Sequence, residues 1–199
     1  MATAMAVAFV VVSCSGKLKQ AQELDLEHTP VQVVNDMFAV QSKDGMVLQR
    51  MEASVMERYS TDSLDYDYFP KGIQVYAYTE EGLLETIIVA DLAKHRNSGK
   101  KAPSEQWEAY GNVVISNVIK RQTMETDTIY WDREKQEIYT HCYVKLSSDQ
   151  GFMQGYGMRS DDRARNAILL STFDSYALTS QDSTATAIDS VNFIGPLLK

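Results

Sequence analysis

Cysteine, proline and histidine are scarce in this chain, and positive charge is outnumbered. Two cysteines, Cys14 and Cys142, cannot build a disulfide framework. Four prolines leave no rigid Pro-rich linker. The three histidines, His28, His95 and His141, lie far apart, and no His–Cys–Asp grouping has the spacing of a metal site. Lys and Arg number 19 against 27 Asp and Glu, a formal net charge of −8. Binding a nucleic-acid backbone needs clustered Lys and Arg, so nucleic acid is excluded as the expected partner. No Ser or Asp stands in a nucleophile elbow or beside a nearby His. The reading is of a non-enzyme that needs no cofactor and no metal. Helical periodicity is also absent over any useful length.

What is present is a core and a strand pattern. The chain has 199 residues, 44% of them hydrophobic, which suits one domain with a buried interior. The clearest stretch runs from Trp107 to Leu146. Trp107, Ala109, Gly111, Val113 and Ile115 alternate with Glu108, Tyr110, Asn112, Val114 and Ser116, the period of two that marks a strand with one buried face. Asn117–Arg121 turns the chain, and Thr123–Trp131 is rich in the β-branched and aromatic residues that suit a pleated surface. Asp132–Gln136 is a charged turn. Ile138, Cys142, Val144 and Leu146 then oppose Tyr139, His141, Tyr143 and Lys145.

The amino terminus reads differently. Ala2–Val12 is uncharged and mostly apolar, but as a helix it would cross only about half of a ~30 Å hydrocarbon layer. It suits the apolar segment of a signal peptide. Val11-Val12-Ser13-Cys14-Ser15-Gly16 resembles the lipobox of bacterial lipoproteins, which implies a signal peptide over residues 1–13 and lipidation of Cys14. Each buried CH₂ of such a lipid contributes about 0.8 kcal/mol to membrane attachment. Residues 14–29 read as a tether.

From Pro30 the strands begin. Ser42-Lys43-Asp44-Gly45 between apolar runs predicts a hairpin, because Gly supplies a positive φ. Ser60–Asp67 reads as a polar, solvated loop, and Leu84–Lys94 as one strand with Leu84, Thr86, Ile88, Ala90 and Leu92 on one face. Arg96–Ser104 is an exposed loop. Phe152–Ser160 is a strand with Gly155 and Gly157 opposite Phe152, Gln154, Tyr156 and Met158, a spacing that suggests close approach of another backbone or a strong bend. Ala167–Ala177 is the last expected strand, and residues 178–199 read as a flexible tail.

Met51-Glu52-Ala53, Ile88-Val89-Ala90, Met124-Glu125-Thr126 and Met153-Gln154-Gly155 superpose as an apolar residue, a spacer and a small residue. Repeats of this size mean stacked units, each unable to bury its apolar face alone. Four further segments, Tyr68–Ile73, Glu108–Val113, Glu125–Asp132 and, beyond Ile138-Tyr139-Thr140, Gly155–Met158, resemble the LptC family of lipopolysaccharide export proteins in their order along the chain. The resemblance covers about residues 30–177. It implies an all-β fold, an open, twisted antiparallel β-jelly roll of stacked hairpins with an apolar groove between its two sheet faces. It also implies lipopolysaccharide as ligand, the inner-membrane export transporter (LptB, LptF and LptG) as partner, and an LptA-like periplasmic bridge protein that receives the lipid by edge-strand pairing. A lipid on Cys14 would hold the protein to the inner membrane from the periplasmic side, in place of the transmembrane helix of better-known members.

Strand parity then gives groove candidates: Val55, Ile73, Val75, Ile88, Val113, Ile115, Ile138, Val144 and Phe152. In a closed sandwich the same residues would be ordinary core, and parity cannot separate these readings. The competing function is a structural or surface lipoprotein whose closed β-sandwich binds protein or glycan.

Overall fold

A computed structural model describes residues 29–60, 65–96 and 105–178, together with the backbone of 185–188. The strands are β1 (Gln32–Lys43), β2 (Met46–Ser60), β3 (Asp65–Phe69), β4 (Ile73–Tyr78), β5 (Leu84–Ala90), β6 (Leu92–Arg96), β7 (Gln106–Asn117), β8 (Gln122–Asp132), β9 (Glu137–Ser148), β10 (Gly151–Asp161), β11 (Ile168–Leu178) and β12 (Ala185–Ile188). All pair antiparallel in one sheet. The expected signal peptide, Cys14 and the tether lie outside the described residues. The expected tail contributes β12, which pairs with Ser175–Leu178.

Local chemistry sets the hairpins. Asp44 and Gly45 both take positive φ, 52° and 81°, the two-residue turn whose twist matches its flanking strands. The turns at 133–136 and 149–150 fall where polar runs interrupt the alternation, and the turn at 118–121 leaves Val118 and Ile119 exposed.

The long strands bend along one line. In β7 the register with β8 shifts between Tyr110 and Val113. In β8 it shifts with β9 between Thr126 and Tyr130, and in β10 with β9 between Tyr156 and Met158. Bulges of this kind kink a strand and sharpen its twist. Gly111 sits in the first of them at φ 78°, with its carbonyl accepting from Asp91 N at 2.9 Å. Asn112 donates from Nδ2 to Asp91 Oδ2 at 2.7 Å. Asp91 is where the expected single strand over Leu84–Lys94 breaks into β5 and β6. Parity changes there, so that Ala93, not Leu92, is buried.

The bend divides the sheet into two layers. On one side β2 pairs through Gln49–Glu52 with β4, and β5 pairs with Val114–Asn117 of β7. On the other, β2 pairs through Glu57–Ser60 with β3, and β6 pairs with Gln106–Tyr110 of β7. The inner faces carry one contiguous core, which includes Phe69, Ile73, Trp107, Val113, Ile115, Met124, Ile138, Val144 and Met158. The expected loop over Ser60–Asp67 is corrected in part: Asp65–Phe69 is a strand, and Asp67 is buried.

Candidate functional site

The apolar strip between the layers is built from alternate residues of nearly every strand. Val113, Ile115 and Val144 are 0% exposed, and Ile138 and Ile73 almost as enclosed. Val75 is buried beside them, and the half-buried Ile88 packs against the cluster. Val55 is buried but falls outside the contiguous cluster. Phe152 is a correction. Its register partner is Ser147, one step from the inward Leu146, so it stands on the outer face and stacks on Tyr176 at 6.1 Å. Met158, assigned by parity to the same face as Phe152, is buried in the core instead. The shift between Tyr156 and Met158 exchanges the two faces along β10. Gly155 meets the expected close approach of another backbone, since a Cβ there would run into the Ser171 carbonyl of β11, whereas one on Gly157, at φ 77°, would meet only the Leu170 side chain.

Clefts open between the layers among the described residues, and two of them meet at Trp131. One, about 180 Å³, is floored by Val75, Ala77, Thr86 and Ile88 and walled by Trp131, Arg133, Gln136, Asp162 and Arg163. The other, about 210 Å³, lies between Ala39, Gln49 and Met51 on one layer and Trp107, Trp131 and Arg133 on the other. Trp131 borders both, and its buried indole N–H has no hydrogen-bond partner. Leaving a buried donor unmatched costs about 1–3 kcal/mol, and a molecule between the layers could recover it.

A polar chain that sequence reading missed closes the far end of the strip. Arg58 Nε donates to Asp67 Oδ1 at 2.6 Å. The His95 ring nitrogens lie 3.4 Å from Asp67 Oδ2 and 3.0 Å from Glu105 Oε1, and Arg133 reaches Glu105 at 3.2 Å. Burial alone would raise the Asp67 carboxyl, but hydrogen bonds from His95 and Arg58 outweigh it and hold it down at about 2. Glu105 is likewise partly buried and is held below its ordinary value by Arg133 and His95. On the Arg58 guanidinium the Asp67 carboxylate acts in return, raising it. The sequence signal was the polarity of Asp67 and His95 on strands that otherwise alternate, and their distance apart hid it. His141 is exposed on the outer face beside Tyr139, and His28 lies outside the described residues. No group of three or more His, Cys, Asp or Glu among the described residues could hold a metal ion.

Both ends of the sheet present apolar strands. At one end β1 pairs only with β2 among the described residues, and Val33 and Phe38 are exposed. At the other, Ile168–Asp174 of β11 extends past β12, and Ile168 and Leu170 are 65% and 54% exposed. Unpaired edges of this kind accept an added strand.

A bent antiparallel sheet with an apolar strip between its layers and an edge at each end is the architecture of a β-jelly roll. The family described as lipopolysaccharide-assembly, LptC-related, matches residues 2–177, and the chain belongs to it. This places it in lipopolysaccharide transport, in a family of periplasmic bridge proteins associated with the inner membrane and not known as enzymes. No curated protein matches the chain.

Proposed function

We propose that this protein binds lipopolysaccharide through its acyl chains between the two sheet layers. It receives the lipid from the inner-membrane transporter formed by LptB, LptF and LptG. It passes the lipid to an LptA-like bridge protein that adds a strand to the β11 edge, and a lipid on Cys14 holds it to the membrane. The observation that carries this reading is the strip of Val75, Ile88, Val113, Ile115, Ile138 and Val144, continuous with clefts between the layers. Acyl chains need such a surface and no reactive group. Each CH₂ that moves from water into it contributes about 0.8 kcal/mol.

Complete enclosure of Val113, Ile115 and Val144 also fits a closed sandwich that binds protein or glycan on its outside. Photo-crosslinking in cells decides between them, with a photoreactive residue at Ile115 or Val144. A lipopolysaccharide adduct that requires ATP hydrolysis by the transporter is the expected result. A folded, membrane-attached protein with no adduct from either position would establish the closed sandwich.

A further inference from the structure

The space between the layers does not run uninterrupted from the β1 end to the β11 end. The connection Asp161–Asn166, between β10 and β11, crosses it. Thr86 Oγ1 of β5, on the opposite layer, donates to the Arg163 carbonyl at 2.7 Å. Lys120 Nζ, on the β7–β8 turn, donates to the Arg165 carbonyl. Arg163 Nη1 lies 3.8 Å from Glu85 Oε2, too long for a hydrogen bond, and that buried oxygen has no other partner. Ala164, at the middle of the connection, is 1% exposed and belongs to the contiguous core. Its φ of 54° is unusual for a residue with a Cβ.

Within itself the connection is a firm unit. The Asp161 carboxylate accepts from Arg165 N at 2.8 Å, from Arg165 Nε at 3.0 Å and from Asn166 Nδ2 at 3.1 Å, and the Asp161 carbonyl accepts from Ala164 N at 3.0 Å. Its ties to the other layer are fewer: one neutral hydrogen bond, one from an exposed lysine, one loose ion pair and one methyl group. The larger of the cleft pair ends on β1 and β2, and the other ends on Asp162 and Arg163. Beyond them Ala164 lies in packed core with Ile115, Val144 and Met158.

An amphiphile whose chains lie between the layers must carry its head outside, through the gap where the layers part. A head wider than that gap cannot slide past a connection tied across it. We propose that Asp161–Asn166 is a strap that stops a large-headed lipid on the β1 side. It swings clear as a unit, withdrawing Ala164, to let the lipid pass to the β11 side. This rests on the carrier reading above and adds its control.

The test uses the full chain with Cys142→Ala, and Thr86→Cys with Arg163→Cys joined by a bismaleimide that carries a cleavable disulfide. Photoreactive residues replace Val75, on the β1 side, or Val144, beyond the strap. Purified lipopolysaccharide is the large-headed probe and palmitate the small-headed one. With the strap locked, lipopolysaccharide labels position 75 as before, and labelling at 144 falls at least ten-fold. Cleaving the linker restores it, and palmitate labels both positions throughout. In Thr86→Val, which keeps the packing and loses the hydroxyl donor, labelling at 144 rises about five-fold in rate, as expected for loss of one neutral hydrogen bond. Equal lipopolysaccharide labelling at 144 in the locked and unlocked forms overturns the strap while leaving the carrier reading intact. Failure of both positions to label in the unlocked protein overturns the carrier reading, and the strap with it.

Discussion

The His95 imidazole lies on the face of the Trp107 indole, with centroids 4.0 Å apart and planes 16° from parallel. The stack holds each ring nitrogen against a carboxylate, Asp67 on one side and Glu105 on the other. It predicts a particular acid response. A carboxyl held at about 2 in the folded protein, against roughly 3.9 unfolded, contributes stability in full above the unfolded value. That contribution is lost as pH falls from about 4 to about 2, and amounts to the order of 2 kcal/mol. Urea unfolding across that range is expected to show this loss in the wild type. Asp67→Asn is expected to be less stable at pH 7 and to lose correspondingly less on acidification. Parallel pH curves for the two proteins would assign the acid response to other groups.

Gly111 answers to the bend. A Cβ there would lie 3.1 Å from Asp91 Cβ, and a φ of 78° costs an L-residue about 1–2 kcal/mol before any contact is counted. Gly111→Val is therefore expected to lose about 3 kcal/mol in chemical unfolding, and Gly111→Ala less. A wild-type midpoint for the valine variant would show that the bend does not depend on this backbone shape.

Ile115 and Phe152 were equivalent candidates by parity, and the structure separates them. Ile115→Ala removes a fully enclosed side chain and is expected to cost about 2–5 kcal/mol. Phe152→Ala gives up one outer-face stack and is expected to cost about 1 kcal/mol. A photoreactive group at position 152 should capture no lipid under conditions where position 115 does. Lipid capture at 152 would place the ligand on the outer face.

The β11 edge can be tested with proline, which removes one N–H at a time. Through Ile168–Asp174, residues whose N–H faces β10 should unfold the edge when replaced. Those whose N–H faces outward should keep the fold, by thermal melting, and weaken capture of a purified LptA-like bridge protein at least ten-fold. Folded proline variants that capture it as well as the wild type would mean that the partner docks elsewhere.

The features legible in the sequence were those that depend on near neighbours. Asp44-Gly45 declared its turn, and the alternation from Trp107 to Ile115 declared its buried face, because a strand's inward set follows from counting by two. Counting failed where the chain bends. The reversal before Met158 and the misplaced Phe152 lie beside register shifts of β10, with β9 between Tyr156 and Met158 and with β11 between Phe152 and Gln154, and the break at Asp91 is held by Gly111 of β7, twenty residues further on. Asp67 looked like a loop residue because its partners, His95 and Glu105, arrive from β6 and from the residue before β7. Among the candidate strip residues, Ile73, Val75, Val113, Ile115, Ile138 and Val144 lie in the buried interior.

One circuit in the strand order bears on how the protein is made. From β7 the hydrogen bonding runs through β5, β4, β2, β3 and β6 and returns to β7. Until residue 106 and its successors are available, β5 and β6 each lack one of their two neighbours. The amino-terminal half therefore forms as a single cooperative event that waits for distant chain, a slow, non-local step. Strands β8 to β11 follow by adding one adjacent hairpin arm after another. A nascent chain that emerges amino terminus first spends that interval with β5 and β6 uncompleted, so its greatest exposure to aggregation and to proteases falls before β7 appears.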